Sequence, residues 1–312
     1  MLKIIIKMKK NKFGNTGFNV SRIGVGLAEI GYELDHKELD VASKLLNSAI
    51  DNGINFLDTA ACYGISEELI GKSVSRRREE YFLATKAGHS QNTKYKDWSY
   101  NAIKSSIEDS LRKLQTEYVD LVQLHSCGID VLEKGEVITA IQDAKQEGKT
   151  RFIGYSGDNK DAHWAVDSGL FSTLQTSYNI AEQRARSTKL LDKAAKAKLG
   201  IIIKRPIAGS AWAKAKDKNN QLRAYDNTYL ERSIKMQSLG SVKGEHSDGI
   251  LTSIAFTLSN PHISVAIIGT KNPNHLLSNI NIVNSLEPLD QSTLNELYNR
   301  FDQLDDNWKQ LT

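Results

Sequence analysis

The sequence predicts an α/β protein, a single (β/α)8 TIM barrel over residues 1–312. Three observations carry that expectation. Short β-branched runs alternate with amphipathic stretches, the pattern of parallel strands joined by helical crossovers. Eight such units can be counted from Val20 onward, and eight close a parallel sheet on itself. The chain of 312 residues is 40% hydrophobic and 25% charged, an ordinary globular balance with enough apolar surface for one large core.

The elements follow in order. Residues 1–12 precede the barrel as an extension or hairpin. Residues 20–27 read as the first strand and 39–52 as its helix, with Val41, Leu45, Leu46, Ala49 and Ile50 at helical spacing and Gly53 as the C-terminal cap. Strand 54–58 leads to a helix from Ser66, whose hydroxyl suits an N-cap. Strand 81–86 precedes helix 100–115. Strand 119–125 precedes helix 137–147, closed by Gly148, and strand 151–156 precedes a short helix, 162–168. Strand 173–178 is followed by helix 187–198. After strand 200–204 comes a stretch rich in Lys, Asn and Gln, 211–245, read as a long loop inserted over one barrel end and a candidate lid. Helix 250–258, strand 264–268 and helix 273–283 complete the series, and an amphipathic segment, 291–304, ends it. An open doubly wound sheet is the rival architecture. It would carry GxGxxG after its first strand, and Gly24-Val25-Gly26 has no third glycine in place.

Composition narrows the function. A formal charge of +4, with lysines alternating with acids, offers no basic stripe for nucleic acid. The two cysteines, Cys62 and Cys127, imply no disulfide framework and suit free thiols in a reducing compartment. No segment has the apolar length of a signal core or a bilayer span, so the expectation is a cytoplasmic protein without a membrane partner. Oligomeric state is not legible.

A barrel of this kind presents its chemistry at the C-terminal ends of its strands. Asp58 ends the second strand and Tyr63 lies in the loop after it. Lys86 ends the third strand and His125 the fourth. Each residue alone has a bland explanation: a turn-capping aspartate, a rim aromatic, a snorkelling lysine, a satisfied core histidine. Four ionisable groups at three successive strand tips make chance the weaker account. The histidines lack HxxH or HExxH spacing and the cysteines lack CxxC, so no metal site is expected. His125 and Cys127 stand two apart, but Cys127 lies past the strand end and reads as a buried, inert thiol.

The stretch Gly53-Ile54-Asn55-Phe56-Leu57-Asp58-Thr59-Ala60-Ala61-Cys62-Tyr63-Gly64 resembles the aldo-keto reductase signature, with Glu67 where members often carry an acid. Thr85-Lys86 and Asp120-Leu121-Val122-Gln123-Leu124-His125 match the other two catalytic segments, and the likeness runs from about Phe13 to Asn284. It implies an oxidoreductase that moves a hydride between NADP(H), with NAD as the alternative, and a small aldehyde, ketone or sugar carbonyl. Tyr63 would be the proton donor. Lys86 would make its release easier, Asp58 would orient Lys86, and His125 would position the carbonyl.

The resemblance also implies a cofactor set. Gly26 would let the cofactor approach, and Ser156 and Gln175 would hold the carboxamide, with Gly157 where the family often has Asn. Lys204, Arg205, Pro206 and Gly209 follow strand seven, with Arg205 standing where many members place a stacking aromatic. Gly269, Thr270, Lys271, His275 and Asn279 would surround the adenosine end, with His275 where Arg or Gln is common. Arg184, Arg186 and Lys189 are further candidates for the 2′-phosphate. Tyr32, His89, Trp98 and Trp212 are candidates for the substrate mouth. A regulatory subunit resembling the potassium-channel β proteins is the alternative reading, and a barrel isomerase or aldolase without nicotinamide is a third.

Overall fold

The structure, a computed structural model, describes residues 8–89, 94–216, 224–305, 308 and 311. Its centre is a closed barrel of eight parallel strands, entered by an antiparallel hairpin. The hairpin pairs β1 (Lys10–Lys12) with β2 (Asn19–Ser21). The barrel strands are β3 (Ile23–Gly26), β4 (Phe56–Asp58), β5 (Phe82–Ala87), β6 (Val119–His125), β7 (Thr150–Ser156), β8 (Thr173–Ser177), β9 (Gly200–Lys204) and β10 (Val265–Gly269). They lie in chain order, and β10 closes the ring by pairing with both β9 and β3.

The expected first strand, 20–27, is two strands. The chain leaves the hairpin at Ser21, whose hydroxyl donates to the Ile23 carbonyl at 2.7 Å, and re-pairs as β3. The hairpin plugs the N-terminal mouth of the barrel. Phe13 is fully buried there, edge-on to Phe56 and Phe82 at 5.5 and 5.2 Å, and Phe18 packs edge-on to Phe82 and Phe152.

Strand alternation sorts the residues. Leu57, Leu83, Val122, Ile153, Leu174, Ile203 and Ile268 join the shell packed against the helices, whereas Phe56, Phe82, Ala84, Leu121, Ile202 and Val265 pack together with the plug. The parity that puts Phe56, Phe82 and Leu121 inside also puts Asp58, Lys86, Gln123 and His125 inside, one or two steps nearer the C-terminal end. The interior is therefore apolar below and polar above.

Most helices fall where the periodicity places them: Leu39–Asp51, Ser66–Val74, Tyr100–Leu114, Glu136–Gln146, Gly249–Leu258, Pro273–Asn284 and Gln291–Leu304. The short helix after β7 starts earlier than expected and spans Asn159–Asp167. The expected helix 187–198 is two pieces, Arg184–Ser187 and Leu190–Lys196, broken at Lys189 by its left-handed φ of 63°. Ser66 is inside its helix rather than capping it, and its hydroxyl bonds to Thr59 at 2.8 Å.

The segment 211–245, expected as a polar loop, instead carries helices Ala211–Lys214 and Ala224–Gln237. Trp212, Tyr229, Arg232 and Met236 are buried in it. Arg300 of the last helix donates to the Met236 and Gly240 carbonyls, and Arg232 donates to Glu182 at 2.7 Å. Packed helix, not a free loop, makes up most of this segment; 217–223 lies outside the described residues.

Replacing Phe13 by Ala removes the plug's central ring from a site with no room to collapse. Phe13→Ala should lower the unfolding free energy by about 3–5 kcal/mol in urea denaturation. A loss under about 1 kcal/mol would show that the hairpin merely covers the barrel.

Candidate active site

The site grows from the polar upper layer. Lys86 at the end of β5 is 3% exposed, and its ammonium donates to Asp58 Oδ2 at 2.6 Å and to the Thr59 carbonyl at 2.9 Å. The other Asp58 oxygen accepts from Gln175 Nε2 at 3.0 Å and Gln123 Nε2 at 3.4 Å, and Ser156 donates to Gln175 Oε1 at 2.8 Å. One carboxylate thus ties together β4, β5, β6 and β8. Gln123 was not anticipated from sequence, because an inward glutamine on an apolar strand has no local signature.

Tyr63 stands over this layer, with the Lys86 ammonium 4.9 Å from its ring centroid. Its loop is held by backbone bonds from Tyr63 to Ala60 and from Ile65 to Gly31. Gly31 is required at that crossing: a Cβ there would lie 1.9 Å from the Tyr63 carbonyl oxygen. His125 sits edge-on to the Tyr63 ring at 5.6 Å, and its Nδ1 lies 3.4 Å from Cys62 Sγ. The thiol that meets the imidazole is therefore Cys62. Cys127 is buried, and burial raises its pKa to about 12.

Electrostatics fix the protonation states. Burial drives the His125 pKa down to about 2, with Lys86, Lys204, His89 and Arg205 pushing the same way, so its ring is neutral. Burial also raises the Tyr63 pKa. Lys86 acts against burial, while Asp58 and Cys62 add to it, and the balance leaves Tyr63 above its ordinary value. The easing by Lys86 expected from sequence is present but smaller than the cost of burying a phenolate. Lys86 itself is opposed by burial, yet Asp58 and Tyr63 outweigh it and hold its pKa up.

A second ion pair lies beside the first. Lys204 Nζ meets Asp158 Oδ2 at 2.9 Å, and Arg205 donates to Ser177 Oγ at 2.9 Å with Asp158 4.0 Å away. Asp158 was not foreseen. It also accepts from Thr176 Oγ1 and the Ser177 N–H, and despite burial these partners keep its pKa below the usual carboxylate value.

Two cavities open from this group, of about 510 and 650 Å³. Both are lined by Glu29, Ile207, Gly209 and Gly269, so they form one elongated cleft. The inner part holds Asp58, Tyr63, His125, Gly26, Ser156, Gln175, Lys204, Arg205 and Pro206. The outer part holds Thr270, His275 and Asn279 at the start of helix Pro273–Asn284. Gly26 and Gly269 face each other across β3 and β10, leaving a floor without side chains. The helix start, capped by Asn272, and the run Ala208, Gly209 and Ser210 at φ 47–66° both suit an anion. The residues present fit a dinucleotide.

Some expected residues stand elsewhere. Lys271 does not line the cleft; its ammonium pairs with Glu33 at 3.1 Å. Arg184 and Arg186 are engaged with Asp305 and Asp302, and Lys189 with Asp192, away from the cleft. Trp212 is 2% exposed and donates to Glu245, so it is not a mouth residue. His89 lines the inner cavity and packs edge-on to Trp98 at 5.0 Å, and Tyr32 is largely exposed beside Tyr63. Among the described residues no three His, Cys, Asp or Glu side chains are grouped as metal ligands, and no helix is long and apolar enough to cross a membrane.

The Asp58–Lys86 pair makes a quantitative demand. Removing one partner strands the other's charge in the barrel, so Lys86→Met or Asp58→Asn should each cost about 3–5 kcal/mol of stability. The double variant should cost less than the sum of the two. Additive losses in denaturant titrations would mean the charges do not depend on each other.

The comparisons agree with this geometry. The family model described as "Aldo/keto reductase family" matches residues 22–299. The chain is 29% identical over 307 residues to L-galactose dehydrogenase of Arabidopsis thaliana, covering 93% of each. It is 34% identical over 177 residues to 6-dehydroglucose reductase of Novosphingobium aromaticivorans, covering 53% of this chain and 57% of that one. A solved structure, a putative aldo-keto reductase from Pseudomonas aeruginosa, superposes with a TM-score of 0.72 at 26% identity, over 92% of this chain and 99% of that one. The chain belongs to the aldo-keto reductase family and is an NAD(P)H-dependent oxidoreductase of small carbonyl compounds.

Proposed function

We propose that Tyr63, Lys86, Asp58 and His125 carry out carbonyl reduction with NADP(H), on small aldehydes, ketones and the carbonyls of sugars. The observation that supports it best is the buried Asp58–Lys86 pair set beneath a protonated Tyr63 in the wall of a dinucleotide-sized cleft. When bound, the nicotinamide supplies the hydride. The phenolic O–H of Tyr63 gives its proton to the carbonyl oxygen, and Lys86 steadies the phenolate left behind. Asp58 keeps Lys86 charged in a site that would otherwise neutralise it. Neutral His125 donates a hydrogen bond to the same oxygen and so orients the carbonyl. Ser156 and Gln175 line the inner cavity where a carboxamide would rest, and would hold it by exchanging part of their present bonds to each other and to Asp58. The names of the two relatives above favour a sugar among the substrates, and the His89, Trp98, Tyr32 and Tyr63 rings offer apolar faces for one.

The regulatory-subunit reading uses the same fold and cleft, but it gives no reason to hold a lysine charged beneath a protonated tyrosine. Tyr63→Phe should keep fold and cofactor affinity while lowering turnover by at least about 100-fold. The pH profile follows from the raised Tyr63 pKa. Reduction needs the protonated form, so kcat/KM should stay level from pH 5 to 8 and fall only above about 10. Oxidation of an alcohol needs the phenolate and should rise with pH over the same range. His125 contributes no limb near pH 6.5. Stopped assays across pH check this; a reduction rate that falls between pH 6 and 7 would contradict a neutral His125.

The choice of NADP(H) rests on His275 in the outer cavity and on Lys271, which lies outside its lining but only four residues before His275. Glu33 pairs with Lys271 at 3.1 Å and would compete with a 2′-phosphate for it. Lys271→Ala should weaken NADPH binding roughly 10-fold and leave NADH nearly unchanged, while Glu33→Gln should favour NADPH. Paired titrations of the two cofactors decide it, and a wild type that prefers NADH would refute the assignment.

A further inference from the structure

We infer that Cys62 is a positioning residue that fixes the tautomer of His125, by donating its S–H to Nδ1 so that the ring proton sits on Nε2 and faces the substrate oxygen. The inference rests on the reading of His125 given under Proposed function.

The geometry narrows the options to two. Cys62 Sγ lies 3.4 Å from Nδ1, within the 4.0 Å reach of a sulfur hydrogen bond. Tyr63 and His89 meet the ring edge-on at 5.6 and 5.7 Å centroid separation. Among the described residues Cys62 is the only hydrogen-bond partner of His125. The loop that carries Cys62 is itself pinned: Tyr32 donates its hydroxyl to the Cys62 carbonyl at 2.9 Å, and Ile65 N–H bonds to Gly31. The sulfur is therefore held against Nδ1 by the backbone that places Tyr63.

A neutral imidazole carries one N–H, and its surroundings choose which nitrogen has it. Burial, and after it Lys86, Lys204, His89 and Arg205, keep the ring neutral. Burial keeps the thiol protonated, because it raises the Cys62 pKa against the pull of Lys86. One pairing is then S–H to Nδ1, with Nε2–H left for the cavity. The other is Nδ1–H to sulfur, which leaves a lone pair on Nε2. Thiol sulfur is a poor acceptor and imidazole nitrogen a good one, so the first pairing is favoured. It also gives the substrate carbonyl a donor, where the second would set a lone pair against its oxygen. No proton changes hands in this arrangement; Cys62 stays a thiol throughout turnover.

The test uses the full-length chain with nitrogen-15-labelled histidine. Long-range proton–nitrogen spectra distinguish Nδ1–H from Nε2–H directly. Wild type and Cys62→Ser, which keeps a donor, should show His125 as Nε2–H. Cys62→Ala should show a mixture of tautomers, and its kcat/KM should fall roughly 10-fold while Cys62→Ser stays within about 3-fold of wild type. An unchanged tautomer in Cys62→Ala overturns the inference whatever the rate. So does a shifted tautomer with a wild-type rate, or a Cys62→Ser variant that falls as far as Cys62→Ala. Failure of the underlying reading looks different: His125→Ala would then turn over as well as wild type.

Discussion

The rest of the site depends on one buried ion pair. Asp58 and Lys86 each have side chains 2% exposed, at 2.6 Å from each other. Their desolvation would be prohibitive without further partners, and the barrel provides them. Two glutamine amides and a backbone carbonyl complete the set, the amides reaching Asp58 through the barrel interior from β6 and β8. The pair therefore reports on closure itself. In an open sheet Gln175 on β8 would sit far from Asp58 on β4, and the carboxylate would lose a donor it cannot replace.

Closure in turn depends on the plug. The same inward parity that delivers Asp58 and Lys86 delivers Phe56 and Phe82 below them, where they pack with Leu121, Ile202 and Val265. Phe13 and Phe18 arrive from the hairpin to join them. The apolar floor lowers the dielectric beneath the ion pair, which strengthens every interaction in the layer above. Stability and chemistry thus share the same strands, one step of pleat apart.

The sequence made the barrel legible because its signal is local. Most strands have an apolar body, several with a polar residue at or near the tip, and the helices repeat near 3.6. It made the proposed catalytic group legible because Asp58 and His125 end strands and Lys86 stands one residue from the end of its own. What it hid depends on contacts distant along the chain. The run 20–27 looks like one strand, since nothing local shows that Val20 packs with Phe13 and Ile23 with the helical shell. Gln123 and Asp158 look like incidental polar residues until β6, β7 and β9 are brought together around Asp58 and Lys204. Composition misled over 211–245: its lysines and asparagines read as loop, although Tyr229, Leu230 and Met236 bury one side of a helix. Proximity in sequence misled over the thiols, where Cys127 is two residues from His125 but Cys62, sixty-three away, is the one in contact.

The distribution of charge around the cleft has a further consequence. Three cations, Lys86, Lys204 and Arg205, surround His125, and two carboxylates, Asp58 and Asp158, face them. Lys86 is paired with Asp58, Lys204 and Arg205 both face Asp158, and Glu29 adds a third carboxylate to the wall of the inner cavity. Burial first, and then the cations nearest the ring, keep the His125 imidazole neutral. Burial opposes the charge on both lysines: Asp58, with Tyr63, outweighs it at Lys86, whereas at Lys204 burial prevails over Asp158 and lowers the pKa. The guanidinium beside them does not deprotonate. Arg205 is thus a permanent charge held after β9 by Ser177 and Asp158 at a fixed place.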